Sequence, residues 1–365
     1  MATLTAERYP FEPDFAVAPG ETLLEIIESL SMSQAELAVR AGLSAKTVNQ
    51  IVQGKAPVTP ETAIRLERVT GTLANFWLSL ESNYRAQLSR QDESSELEAQ
   101  LEWLASVPVR ELLRRRAIEP AKDRVATLRA VLSFFGVSSV ETWKGLWLSP
   151  SAAFRKSRAF RGKPGAIAAW LRLGEVQAHS IRCEPFDKER FESALGVIRK
   201  LTTESPSVFE PKMRELCSAS GVAVVVVPEI PGAPVCGATR WLSPDKALIQ
   251  LSLRYKSDDQ FWFSFFHEAG HILRHGKKLG FIEDGEGRSA LEEEANAFAA
   301  SFLIPREHEA RLGGLKSSHA IVEFSKAIGI APGIVVGRLQ REKVIAFSHC
   351  QHLKRRFEWT DSSEK

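Results

Sequence analysis

The segment FWFSFFHEAGHIL, residues 261–273, constrains this chain more than any other stretch. Its run of large apolar side chains demands a buried helix, yet His267, Glu268 and His271 interrupt it. A buried helix tolerates such polar groups only when something satisfies them, and a metal ion does so. Residues four apart lie on one helical face, one turn apart, so both imidazoles can turn toward one zinc ion. Glu268, beside the first histidine, then points at the open side of that ion. There it can act as the catalytic base and take a proton from water.

A zinc site that keeps an open position needs a third protein ligand, and a carboxylate on a neighbouring helix suits it. The stretch LEEEANAFAASFLIP (291–305) supplies candidates, with Glu292 following His271 by 21 residues. Glu292 and Asn296 stand one helical turn apart, which gives a ligand and a hydrogen-bonding partner behind the ligand shell. Glu293 and Glu294 are rivals for the ligand role. Glu293 is rotated by about 100° from Glu292 and should face solvent, while Glu294 is a candidate neighbour of the site. Glu292 is preferred because it alone pairs with Asn296 at i+4. Small residues at 295, 299 and 300 permit close approach to the histidine-bearing helix. Tyr255, His275 and His349 are the candidates to stabilise an oxyanion, and His275 also suits a helix C-terminus, where a cation is favoured.

A second grammar governs the amino-terminal region. In residues 31–71, Ser33 with Glu36 forms a capping box, Gly42 ends one helix and allows a tight turn, and Ser44 caps the next. Val48 and Ile51 face inward on that second helix. Ser44, Lys46, Thr47, Asn49 and Gln50 are left to meet base edges and phosphates of double-stranded DNA. Thr59 and Pro60 start a further helix. The stretch 19–84, down to its ending TGTLANFWLSLESNY, resembles HigA-type antitoxins and regulators of the Cro/repressor class. That resemblance implies a homodimer on an inverted-repeat operator and, in some relatives, neutralisation of a toxin.

The segments FFHEAGHILRHG and EEEANAFAASFLIP resemble the ImmA/IrrE metallopeptidases, a likeness that extends to WLRLGE (170–175), to 237–263 and to 330–359. The resemblance implies that His267, His271 and Glu292 bind Zn2+, that Glu268 is the general base, and that the target is a protein partner such as a repressor.

The chain has 365 residues, enough for two or three domains. We expect a mainly α fold with a small β-sheet (α+β). It divides into an all-α helix-turn-helix domain (1–90), a helical basic middle region (91–210), a zincin-like α+β domain (211–310) and a helical extension (311–365). Strands are expected within GVAVVVVPEI (221–230) and KALIQLSL (246–253), the latter as an edge that could pair with an extended substrate. QDESSELEAQ (91–100) reads as a linker or the exposed start of a helix. Residues 1–90 carry 8 Lys/Arg against 10 Asp/Glu, whereas 101–200 carry 19 against 10. The basic stretches LRRR (113–116) and FRKSRAFRGK (154–163) therefore fit phosphate contacts, an acidic partner, or simply a solvated face. Four scattered cysteines and the lack of a membrane-length apolar run fit a cytoplasmic protein with no membrane partner. Two functions follow. One is a DNA-binding regulator carrying a zinc-dependent metalloendopeptidase. The other is a non-enzymatic transcription factor or antitoxin whose zinc domain is a sensor or docking scaffold.

Overall fold

Pro19 sits at the first position of helix α1 (Pro19–Ser29), where its missing N–H costs nothing. The computed structural model describes residues 17–148, 163–275 and 287–359, which fall into two units, 1–100 and 101–365. In the first unit, α2 (Gln34–Ala41) is capped by Ser33, whose hydroxyl accepts the Glu36 N–H at 3.2 Å. The Glu36 carboxylate turns to Arg40 at 2.5 Å, an i,i+4 ion pair, so only half of the expected capping box forms. Gly42 adopts φ 62°, a left-handed conformation that ends α2 and turns the chain into α3 (Ala45–Val52). Thr59 caps α4 (Pro60–Thr70), and α5 (Ala74–Glu98) follows. Leu23, Ile27, Leu37, Val48, Ile51, Leu66 and Trp77 close the core beneath these helices.

The polar stretch 91–100 is neither a linker nor a helix start; it is mostly the last turns of α5. No Gly or Pro interrupts it, and Ser94 turns its hydroxyl back to the Arg90 carbonyl at 2.7 Å. Near the middle of α5, buried Glu81 accepts the Val58 N–H at 3.0 Å and Arg85 Nε at 2.7 Å, fixing the loop that follows α3.

The second unit opens with α6 (Val109–Arg114), α7 (Arg124–Phe135) and α8 (Val140–Trp143). Trp103, Phe135 and Trp143 pack edge to face there. Trp143 and Trp170 are buried in the core. Within LRRR, Arg114 and Arg115 pair with Glu111, and Arg115 also donates to the Glu229 carbonyl at 2.7 Å. All of 154–163 but Lys163 lies outside the described residues. Helices α9 (Pro164–Ser180), α10 (Lys188–Lys200) and α11 (Pro206–Ser218) lead to the sheet.

Among the described residues the sheet has three strands, β1 (Val222–Val226), β2 (Gly237–Ser243) and β3 (Lys246–Leu251), in the order β1-β3-β2. β1 runs parallel to β3 and β2 antiparallel to it. KALIQLSL is therefore the central strand and not an edge, as its nearly unbroken burial requires. The outer strand beside it is β2, whose half-buried residues and Arg240 masked it in the sequence.

Helix α12 (Asp258–Arg274) carries the two histidines and packs against α13 (Gly287–Leu303). Gly270 makes that approach possible, since a Cβ there would stand 3.0 Å from Phe298. Helices α14 (Ser318–Ile328) and α15 (Pro332–Arg341) complete the unit. Ile321, Phe324, Val335, Val336 and Phe357 join the same core as Trp262, Phe265 and Phe266. Residues 354–356 then strap the start of α12: Ser257 bridges to Arg356, Lys354 meets buried Asp259 at 2.7 Å, and Arg355 meets buried Asp258 at 3.2 Å. The architecture is mainly helical with one small sheet, the expected α+β class. No single helix among the described residues is long and apolar enough to cross a membrane.

Candidate functional site

Helical spacing brings His267 and His271 to one face of α12, and the packing of α13 delivers Glu292 to them. The two Nε2 atoms lie 3.0 Å apart. Glu292 approaches His267 Nε2 at 3.4 Å and His271 Nε2 at 3.6 Å, one carboxylate oxygen to each. Zinc bonds of about 2.0–2.1 Å set at tetrahedral angles imply ligand–ligand separations of about 3.4 Å. The three separations in the triad, 3.0, 3.4 and 3.6 Å, lie near that value. The triad is the one His/Cys/Asp/Glu group among the described residues that converges closely enough to hold a metal ion. Side-chain exposure rises from 14% at His267 to 40% at Glu292, so the site opens to solvent on the α13 side.

The electrostatics suit a cation. Burial works against a charged His267, but Glu292, Glu268 and Asn296 outweigh it and raise its pKa. Burial, with the neighbouring His267 and His275, pushes His271 down to about 4, against the pull of Glu292, and so keeps its imidazole neutral. Glu292 is also desolvated, yet the histidines hold its carboxyl below the usual range. Asn296 Oδ1 stands 3.1 Å from His267 Nδ1, where it can accept that N–H; in the neutral ring this tautomer leaves Nε2 bare for a metal.

Glu268 lies on the buried side of α12, and burial raises its pKa to about 7 despite the opposing charge of His267. Its carboxylate rests against the backbone at the start of β2, where a Cβ on Gly237 would stand only 2.7 Å from Oε1. The Thr239 hydroxyl donates to the Glu268 carbonyl at 3.2 Å, tying outer strand and helix together. A carboxyl poised near neutrality beside a triad of metal-ligand character can accept and return a proton.

Residues 229–320 match the family described as the IrrE N-terminal-like domain, and residues 23–74 match the helix-turn-helix family. Over 81 residues, 22% of this chain and 75% of the relative, the chain is 33% identical to virulence-associated protein I of Dichelobacter nodosus. It is 34% identical over 64 residues to the HTH-type transcriptional regulator YddM of Escherichia coli, covering 18% of this chain and 68% of that protein. The chain is a HigA-like helix-turn-helix protein carrying an IrrE-type metallopeptidase-family domain. Among solved structures, the Pseudomonas aeruginosa antitoxin HigA with its higBA promoter is 34% identical to this HigA-like, IrrE-type chain. That match covers 23% of this chain and 94% of the antitoxin, at a TM-score of 0.22.

In the HigA-like unit, Lys46 and Asn49 are exposed on α3, while Thr47 and Gln50 are partly so. The Ser44 hydroxyl is engaged in the helix cap, 3.0 Å from the Thr47 N–H and 2.8 Å from the Thr47 hydroxyl. In the IrrE-type unit, none of the three candidate oxyanion donors is presented to the triad with a free donor. Tyr255 precedes α12, and about 14 Å of helix rise separates that end from His267. His349 donates from Nε2 to the Lys316 carbonyl at 3.0 Å. His275 does take the helix C-cap position, and both of its ring nitrogens are engaged. Sequence reasoning gave Gly237 and Thr239 no individual role, since their importance depends on β2 lying beside Glu268. Cys236, just before β2, is a partly buried thiol whose pKa is raised by burial.

Proposed function

We propose that this chain is a DNA-binding regulator whose carboxy-terminal unit is a zinc-dependent endopeptidase acting on a protein partner, a repressor or a toxin. The convergence of His267 Nε2, His271 Nε2 and the Glu292 carboxylate at tetrahedral spacing carries the zinc assignment. Zinc, when bound, supplies Lewis acidity that polarises a carbonyl and makes water more acidic. Glu268, with its pKa near 7, takes the proton from water and returns it to the leaving amine. β2 is the outer strand next to Glu268, so an extended substrate backbone adds to the sheet there and passes the base. Asn296 fixes the tautomer of His267.

The amino-terminal unit binds operator DNA as a homodimer. Lys46, Thr47, Asn49 and Gln50 on α3 enter the major groove, and Ser44 holds the helix start. The likeness to a transcriptional regulator of E. coli supports this assignment.

The test compares the full chain with Glu268→Gln. The wild type should carry one zinc per chain and cut a co-encoded repressor or toxin into discrete fragments. The variant should keep zinc and operator binding while losing cleavage. A wild type without stoichiometric zinc, or a Glu268→Gln protein that cuts equally fast, overturns the peptidase assignment. Zinc retention with no cleavage by either protein favours the scaffold alternative.

A further inference from the structure

Histidines recur every four residues along α12, at 267, 271 and 275, and the third has so far no role beyond its helix-end position. Its Nδ1 lies 2.8 Å from Nδ1 of His271, and its Nε2 lies 3.2 Å from a Glu294 carboxylate oxygen. The His275 side chain is only 3% exposed. Its two nitrogens are therefore satisfied by protein groups rather than by bulk water.

The proton positions along this line follow from the acceptor at its end. An ionised carboxylate accepts and cannot donate. His275 therefore presents an N–H from Nε2 to that carboxylate, and in this tautomer its Nδ1 is bare. That bare nitrogen accepts the Nδ1–H of His271. His271 is then left with its lone pair on Nε2, the atom that faces His267 and Glu292. The opposite assignment would aim an N–H of His271 into the triad and set a lone pair of His275 against a carboxylate.

We propose that Glu294 and His275 form a two-residue relay that holds His271 in the tautomer and ring orientation needed to bind metal through Nε2. The proposal rests on the zinc site assigned above. It places His275 and Glu294 as positioning residues, matching for His271 what Asn296 does for His267. Both outer contacts end on α13, at Glu294 and Asn296, two and four residues after Glu292. The relay thus couples the orientation of His271 to the helix that carries the carboxylate ligand.

Zinc affinity of the full chain, measured by competition with a chromophoric chelator, tests the relay without recourse to activity. His275→Phe keeps the ring volume but removes the acceptor, and affinity should fall roughly ten- to hundredfold. His275→Asn places an amide oxygen near the lost Nδ1 and should recover most of that loss. Glu294→Ala, at an exposed position, should weaken binding in the wild type. It should have no effect in the His275→Asn background, where its link is already cut. In the metal-free wild type, long-range proton–nitrogen spectra should place the proton of His275 on Nε2 and that of His271 on Nδ1. Unchanged affinity in His275→Phe and Glu294→Ala, alongside tight binding by the wild type, overturns the relay and leaves the zinc site standing. A Glu294→Ala loss that persists in the His275→Asn background, or a proton found on His275 Nδ1, also overturns it. A wild type that takes up no zinc overturns the zinc site and the relay together.

Discussion

Replacing Gly237 with alanine would drive a methyl group into the side chain of Glu268. The new Cβ would stand 2.7 Å from Oε1, 2.9 Å from Cγ and 3.2 Å from Cδ. Carbon atoms settle at about 3.5–4.0 Å, so the overlap with Cγ is about 0.6 Å. Neither partner gives way freely. Gly237 is held in register opposite Leu251 on β3, and Glu268 is fixed on the buried face of α12. Overpacking of this kind costs about 1–3 kcal/mol, which urea unfolding of the carboxy-terminal unit should register. Displacing the carboxylate by about half an ångström should lower kcat/KM, by up to about a hundredfold. Zinc affinity should hold, because Glu268 is not among the three ligands. Gly313→Ala is the control, since a Cβ there meets nothing within 4 Å. If Gly237→Ala matches Gly313→Ala in both stability and turnover, Glu268 does not lie against β2 as described.

Other substitutions probe the rest of the molecule. Glu268 has a folded pKa raised from 4.5 to about 7, so its contribution to stability is fully present below pH 4.5 and lost as pH rises through 7. Metal-free wild type should lose about 3 kcal/mol across that window relative to Glu268→Gln; parallel urea midpoints for the two proteins from pH 5 to 8 would contradict this. Lys354→Met strands the buried Asp259 carboxylate and should cost about 3 kcal/mol in the same unfolding assay, with Asp259→Asn added to it restoring part of the loss. Ser44→Ala removes the cap of α3 and should cost the amino-terminal unit about 1 kcal/mol, seen as a lower melting temperature. Asn49→Ala, on the exposed face of α3, should leave stability alone but weaken operator binding by about 1–3 kcal/mol in a fluorescence titration.

The parts of this protein that the sequence exposes are those set by helical geometry and short-range chemistry. The i,i+4 spacing of His267 and His271, the i,i+4 pair Glu292 and Asn296, and the caps Ser33, Ser44 and Thr59 all act within one or two turns. Each was legible because a helix fixes those neighbours whatever surrounds it. The choice of Glu292 over its two neighbours followed the same logic, and its carboxylate lies 3.4 and 3.6 Å from the two imidazoles. Composition misled where it stood in for geometry. The serines and acids of 91–100 looked like a linker, yet nothing there breaks α5.

What the tertiary structure alone decided lies in contacts between elements distant along the chain. β3 became the central strand because β1 and β2 both pair with it, and no pattern within KALIQLSL distinguishes an outer strand from an inner one. Gly237 matters because β2 passes over Glu268, some thirty residues later. His275 and Glu294, 19 residues apart, meet only when α13 folds back along α12. Local spacing set out His267, Glu268 and His271; long-range packing brought Glu292, the outer strand β2 and the His275–Glu294 contact to them, because only the assembled core brings those surfaces within hydrogen-bonding reach.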